Sequence, residues 1–276
     1  MKVEVLMSVM HQTDMSIGYK SKVDTDLLII NQCDHNDYQE QIVDGHKWRM
    51  ISTTERGAAK SRNMALRNAQ GEICLLADDD EVLNPNACSV ISQAFSSLPD
   101  ATAIVFNVDR INNRLKKSYY TITQVKESPS YRGYGNVQMA FRLDTIKRKG
   151  ILFNEKFGSG TEWGGGEDIL FQKDMRRAGL KIYEYPANVA TIDYGSDSQW
   201  FQGYNEKLFY NIGAFNGYVN NGRLKIETIL YSIYFCFYKL RKDKTLNPFK
   251  RVLWMYRGFK GIQKDVTYSQ YLEKHK

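Results

Sequence analysis

Apolar residues run almost without interruption over Val3–Met10, over "DLLII" (26–30) and over "WRMIST" (48–53). Such short, nearly continuous runs predict strands of a parallel sheet that is covered on both faces. Gly57–Ala69, "GAAKSRNMALRNA", has the composition of a helix. Ala58, Met64, Ala65 and Leu66 can face inward there, and Gly71 follows at a natural C-terminal position. Glu72–Ala77 predicts a fourth strand. Residues 84–99, "NPNACSVISQAFSSLP", predict a helix with Asn84 as N-cap and Pro85 in its first turn. Thr102–Val108 and Asn136–Arg142 predict further strands. Between them, 109–135 is polar and Tyr-rich with weak periodicity, either a loop or an antiparallel excursion. A helix from Asp168 to Ala178 ends before Gly179, and "KIYEY" (181–185) predicts a short strand that Pro186 terminates. Alternating strands and helices over the first hundred residues predict an α/β layered sheet.

The 276 residues suffice for one large domain with an appendage, and charge divides them. From Arg223 onward 13 Lys and Arg face 4 acids, while residues 1–222 are slightly acidic. The expected division is therefore 1–222 and a basic, aromatic-rich helical region, 223–276. Such a segment suits an anionic membrane surface or nucleic acid. Ile229, Ile233 and Phe237, spaced by four, either lie on that surface as part of 223–264 or pack helices against the domain. The longest apolar-rich run, Ile229–Tyr238, is far shorter than the roughly 20 residues of a membrane span. Four scattered cysteines without a C-x-x-C predict neither a disulfide framework nor a zinc knuckle. The N-terminus lacks the apolar core of a signal peptide. The expected location is the cytoplasm, with attachment to the inner face of the cell membrane as one reading.

Three constellations carry candidate chemistry. In "CLLADDDEVL" (74–83) a buried-looking strand runs into Asp78, Asp79, Asp80 and Glu81. Ligands of open α/β sheets bind beyond the carboxyl ends of strands. Hard oxygen ligands there suit Mg²⁺ or Mn²⁺ held jointly with a substrate phosphate. The competing reading is a solvated acidic loop that caps the next helix. "GGGED" (164–168) sets Glu167 and Asp168 in the first turn of a helix, where acids suit the dipole. Trp163 before them offers a flat surface for a sugar ring, and a carboxylate beside it could accept a hydroxyl proton. "ERGAAKSRN" (55–63) places Arg56, Lys60 and Arg62 at a helix start, either a phosphate site or an exposed basic face.

In their order and spacing, "ERGAAKSRNMALRNAQGEICLLADDDEVL" (55–83) and "GGGEDILFQKDMRRAGLKIYEYP" (164–186) resemble the family 2 glycosyltransferases of GT-A fold. The resemblance covers roughly residues 1–200. It implies a Rossmann-like mixed sheet flanked by helices, with a C-terminal helical appendage. It also implies inverting transfer from a nucleotide-diphosphate sugar, a UDP-sugar by preference, with Mn²⁺ or Mg²⁺. The acceptor would be a hydroxyl of a glycan or lipid-linked saccharide, as in capsule or O-antigen assembly. By the same resemblance Ser8 and Met10 line the nucleotide pocket. Asn31 or Gln32 stands where relatives carry a uracil-contacting Asp. Arg62 lies near the diphosphate, with Asp78 as the variable neighbour, Asp79 at the ribose and Asp80 on the metal. Asp168 is the catalytic base, with Glu167 beside it. The late histidine of some relatives has no match; "TIDYGSDSQW" (191–200) offers Asp193. Q-x-x-R-W is absent, which argues against a processive polymerase. The rival readings are a nucleotidyltransferase, which lacks its Gly-rich basic signature in "SVMHQTDMSIG", and a non-enzymatic basic binding module, which leaves both acidic motifs idle. Nucleic acid is not an expected partner.

Overall fold

The computed structural model describes residues 1–112, 120–193 and 203–275. Parts of two segments singled out in the sequence, 113–119 and 194–200, lie outside them. The chain forms two compact units: Met1–Glu155 with Glu167–Asp197, and Lys156–Gly166 with Ser198–Lys276. The composition shift at residue 222 falls inside the second.

The first unit is built on a mixed sheet. Its strands are β1 (Val3–Met10), β2 (Asp26–Gln32), β3 (Asp37–Val43), β4 (His46–Thr53), β5 (Ile73–Asp78), β6 (Glu81–Leu83), β7 (Ala103–Ile111), β8 (Lys126–Glu127), β9 (Met139–Arg142) and β10 (Ile182–Asp193). Among the described residues the order is β3-β4-β2-β1-β5-β9-β7-β10-β6, with β8 paired to β10. β4, β2, β1 and β5 run parallel, as do β7 and β10, while β9 joins the two sets antiparallel. The continuous apolar runs have the predicted cause. Leu27 and Ile29 of β2 enter the core on one face, and Leu28 and Ile30 enter it on the other. The helices are α1 (Ser16–Lys20), α2 (Ala58–Asn68), α3 (Ala87–Ser97), α4 (Leu143–Arg148) and α5 (Glu167–Arg177).

Several local expectations give way to tertiary context. Helix α2 ends at Asn68, and Gly71 serves a close approach instead: a Cβ there would lie 2.6 Å from that of Glu4. The buried Glu4 carboxylate accepts the N–H groups of Gln70 (2.6 Å) and Gly71 (2.7 Å) and pairs with Arg49 at 2.5 Å. Asn84 does not cap α3. Its amide bonds the Asn188 carbonyl and the Thr191 hydroxyl, tying the chain to β10, and Asn86 in a left-handed conformation precedes the helix. Pro186 does not end its strand either, but lies inside β10. It falls between Glu184 and Asn188, where the ladder to β7 shifts register, so no sheet hydrogen bond is demanded of its missing N–H. Residues 136–138 form a 3₁₀ turn, and the strand expected there begins only at Met139.

The second unit is helical: α6 (Glu206–Val219), α7 (Ile226–Ile233) continued by a π-helical stretch (Tyr234–Lys239), α8 (Pro248–Gln263) and α9 (Tyr268–Glu273). α6 and α8 touch backbone to backbone at glycines. A Cβ on Gly213 would sit 1.8 Å from the Met255 carbonyl oxygen, and one on Gly258 1.8 Å from that of Tyr210. Trp254, Met255, Phe259 and Ile262 of α8 are buried. No helix among the described residues is long and apolar enough to cross a membrane.

Candidate active site

Strand order reverses its direction of growth around β1, since β2 and β4 extend the sheet to one side and β5 to the other. The carboxyl ends of β1 and β5 therefore flank a topological switch point. Register places Ser8 beside Asp78, Val9 beside Asn31 and Met10 beside Gln32. Ser8 Oγ accepts a hydrogen bond from Ser61 of α2 at 2.9 Å, and Met10 projects from the strand end, exposed. The two amides serve the protein itself. Asn31 accepts the Gln12 N–H (2.9 Å) and donates to the Gln12 carbonyl (2.8 Å) and Ser52 Oγ (3.1 Å). Gln32 Oε1 accepts the Gly57 N–H ahead of α2 (2.8 Å).

Arg62 ties two distant motifs together. It is buried, and donates from Nη2 to Asp78 Oδ1 at 3.0 Å and from Nη1 to Glu167 Oε1 at 2.8 Å. The end of β5 and the first turn of α5 are thus joined through α2, although Glu167 is 105 positions from Arg62. Burial alone would lower the arginine's pKa; the charges of Asp78 and Glu167 more than reverse this and raise it. The guanidinium is firmly cationic. Of the two readings of this segment, phosphate site or exposed basic face, the second does not hold at Arg62, which is a buried crosslink.

The acids beyond Asp78 have no comparable support. Asp79 is raised, first by loss of surrounding water and then by Asp78. Asp80 is pushed up to about 6 by the same loss of water, then by Asp78 and Asp79, with Asp193 at the end of β10 adding to the repulsion. Glu81, absent from the expected site, is buried and raised well above the ordinary range by that burial and by Asp78. Its Oε2 accepts the Asp78 N–H at 3.4 Å, while Oε1 has no hydrogen-bond partner. The signal that could have found it is its place in the acidic run, inside a strand that pairs Glu81 with Ile192. A concentration of raised carboxyls with an orphaned buried oxygen fits a hard divalent cation, which would relieve the repulsion. These oxygens do not converge into a three-ligand cage; among the described residues such a grouping occurs only at Cys33, Asp34 and His35. That tripeptide turn is bonded within itself, His35 Nδ1 to Asp34 at 2.8 Å. One or two carboxylates are what Mg²⁺ takes when waters and phosphates complete its shell.

Asp168 follows Glu167 in the first turn of α5, and its Oδ1 meets the Ile169 N–H at 2.7 Å. Burial and then the Glu167 charge push its pKa up to about 7. A carboxyl so poised can take up and release a proton near neutrality. Trp163 departs from expectation. It belongs to the second unit and is buried, stacked on Tyr210 at 6.4 Å with the Lys156 ammonium 5.4 Å from its ring centre. It is a core ring, not an open platform for a sugar.

Residues 3–165 match the family model described as glycosyl transferase family 2. The sequence matches no curated protein. In structure the chain is similar to S. aureus TarS 1-349 in complex with UDP-GlcNAc, with a TM-score of 0.64 and 14% identity, over 95% of this chain and 81% of that one. It is similar to the UDP complex of the same fragment with a TM-score of 0.56 and 14% identity, over 97% and 93% of the two chains. Against S. aureus TarS the TM-score is 0.56 at 15% identity, and the match spans 89% of this chain but 44% of that one.

Proposed function

The chain belongs to glycosyl transferase family 2 and is a glycosyltransferase of GT-A fold, and from that premise we propose that it transfers a sugar, with inversion, from a UDP-sugar to a hydroxyl of a glycan or lipid-linked saccharide at the cytoplasmic side of surface polysaccharide assembly. Family membership removes the nucleotidyltransferase and the non-enzymatic binder. The donor class rests on the UDP and UDP-GlcNAc complexes of the structurally similar TarS.

The observation that carries the reading is the Arg62 crosslink, which holds the acidic strand tip and the first turn of α5 in one place. Asp168, poised near neutrality, takes the proton of the attacking hydroxyl. Glu167, paired to Arg62, positions that turn and keeps the neighbouring charge that raises Asp168. Arg62 lends fixed positive charge in a buried setting, where it stabilises a leaving diphosphate more strongly than it would in water. Asp79 holds the ribose, and Ser8 and Met10 border the nucleotide. With the Asn31 amide bonded to Gln12 and Ser52, Gln32 is the better of the two candidates for the base edge. Asp80 would hold Mn²⁺ or Mg²⁺, with Glu81 fixing the backbone of the acidic run through the Asp78 N–H. Bound there, the ion would supply Lewis-acid neutralisation of the diphosphate.

The test is a thermal-shift panel of UDP-, GDP- and dTDP-sugars with and without Mn²⁺, run on the wild type and on Asp80→Ala. A donor should stabilise the wild type by mass action only when Mn²⁺ is present, and Asp80→Ala should lose that gain. Metal-independent stabilisation would remove Asp80 from its role, and no stabilisation by any sugar nucleotide would remove the donor reading.

A further inference from the structure

The helix running through α7 and the π-helical stretch turns its apolar stripe outward. Ile226, Ile229, Leu230, Ile233 and Phe237 follow the spacing of a single helix face, which in a globular protein packs on the core. Here Ile226 is 74% exposed, Leu230 61% and Ile233 47%, and Ile229 and Phe237 are exposed as well. No residue of α7 is buried. At the start of α8, Phe249 extends the stripe, its ring edge-on to Phe237 at 5.0 Å. Apolar residues exposed singly are ordinary, whereas a contiguous stripe marks an interaction surface.

The C-terminal end of the stripe is anchored. Arg251 of α8 is fully buried and donates to the carbonyls of Cys236 (3.1 Å), Leu240 (3.0 Å) and Asp243 (2.8 Å), and to the Asp243 carboxylate (2.7 Å). It closes the end of the helix against α8. Around the stripe the charge is mostly positive. Lys225, Lys239, Arg241, Lys242, Lys244 and Lys250 are exposed, against Glu227 and an Asp243 already bound to Arg251. Tyr231, Tyr234 and Tyr238 are each half-exposed or more, the side chains that favour a boundary between apolar and wet phases.

We propose that this face docks the protein on an anionic lipid surface. The stripe enters the boundary between headgroups and acyl chains, and the surrounding cations meet lipid phosphates. A second copy of the chain is the poorer occupant, because a two-fold contact would set these cations against one another. The docking face shares no residue with the donor site, so each stands or falls alone.

Co-sedimentation of the full chain with vesicles tests this. Phosphatidylcholine vesicles containing phosphatidylglycerol should bind it about tenfold or more better than phosphatidylcholine alone, and high salt should weaken that binding. Ile229→Ser/Leu230→Ser/Ile233→Ser should abolish binding, and Lys242→Gln/Lys244→Gln should lower it by roughly tenfold. Lys242→Gln/Lys244→Gln should melt where the wild type does, since those side chains are exposed, so its loss of binding is not a loss of structure. Absence of binding to the anionic vesicles overturns the proposal. So does equal binding by the stripe variant, or a dimer in light scattering that the stripe variant dissolves.

Discussion

Arg62 and Arg251, two of the buried arginines, organise their surroundings differently. Arg62 bonds two carboxylate side chains, Asp78 and Glu167, that lie far apart in sequence. Arg251 bonds three backbone carbonyls and one carboxylate within fifteen positions of itself. The first assembles a set of titratable groups at a strand tip; the second fixes the shape of a turn. Near each lies chemistry that its bonds do not serve: the raised acids Asp79 and Asp80, which follow the Asp78 that Arg62 holds, and the exposed stripe of α7 on the helix whose end Arg251 ties down. A buried cation can thus gather charged side chains or fix a backbone turn, and the proposed donor site and docking face rest on one case each.

The largest effect is expected from Arg62→Met. It leaves two carboxylates without their partner and should cost about 3–5 kcal/mol in denaturant unfolding, together with most of the activity. Asp168→Asn keeps the fold and the donor affinity. It should lower turnover by about 10²-fold or more in a nucleotide-release assay. In the wild type, kcat/KM should climb with pH through about 7 as Asp168 loses its proton, and a flat profile would take the base role from it. Arg251→Met should cost about 1–3 kcal/mol by leaving carbonyls unbonded, yet donor binding by calorimetry should not change. If donor affinity falls with it, the contrast between the two arginines is lost.

A smaller effect separates the acids from the stripe. Folded Asp80 and Asp168 hold protons that the unfolded chain releases near pH 4, so both groups draw stability down as pH rises, Asp80 through about 6 and Asp168 through about 7. Mn²⁺ bound by ionised Asp80 should therefore raise the melting temperature more at about pH 8 than at about pH 5. Equal gains would break the assignment. The smallest effect is that of Ile226→Ser, which should leave stability within about 0.5 kcal/mol of the wild type, because that side chain is 74% exposed.

Much of the sheet was legible because burial on both faces writes continuous apolar runs, as in β1, β2 and β5. β3 was not, because an edge strand carries polar residues, here "DYQEQIV", and hides its period. Its signal was the hairpin dipeptide Asp44-Gly45, both residues at positive φ. Asn84 and Gly71 were misread because capping and helix-end propensities are local, while Asn188 and Glu4 reach them from other strands. Trp163 read as a platform because an aromatic ring beside glycines looks the same in sequence whether it is covered or bare.

By itself the sequence determined the layered α/β class, the order of the acidic motifs and the basic charge of the C-terminal region, since these depend on composition, period and spacing along the chain. Only the tertiary structure decided that Arg62 crosslinks those motifs, that Glu81 is buried among their acids and that the stripe of α7 faces outward. Burial and pairing are properties of what the rest of the chain brings alongside a residue, and no local pattern carries that.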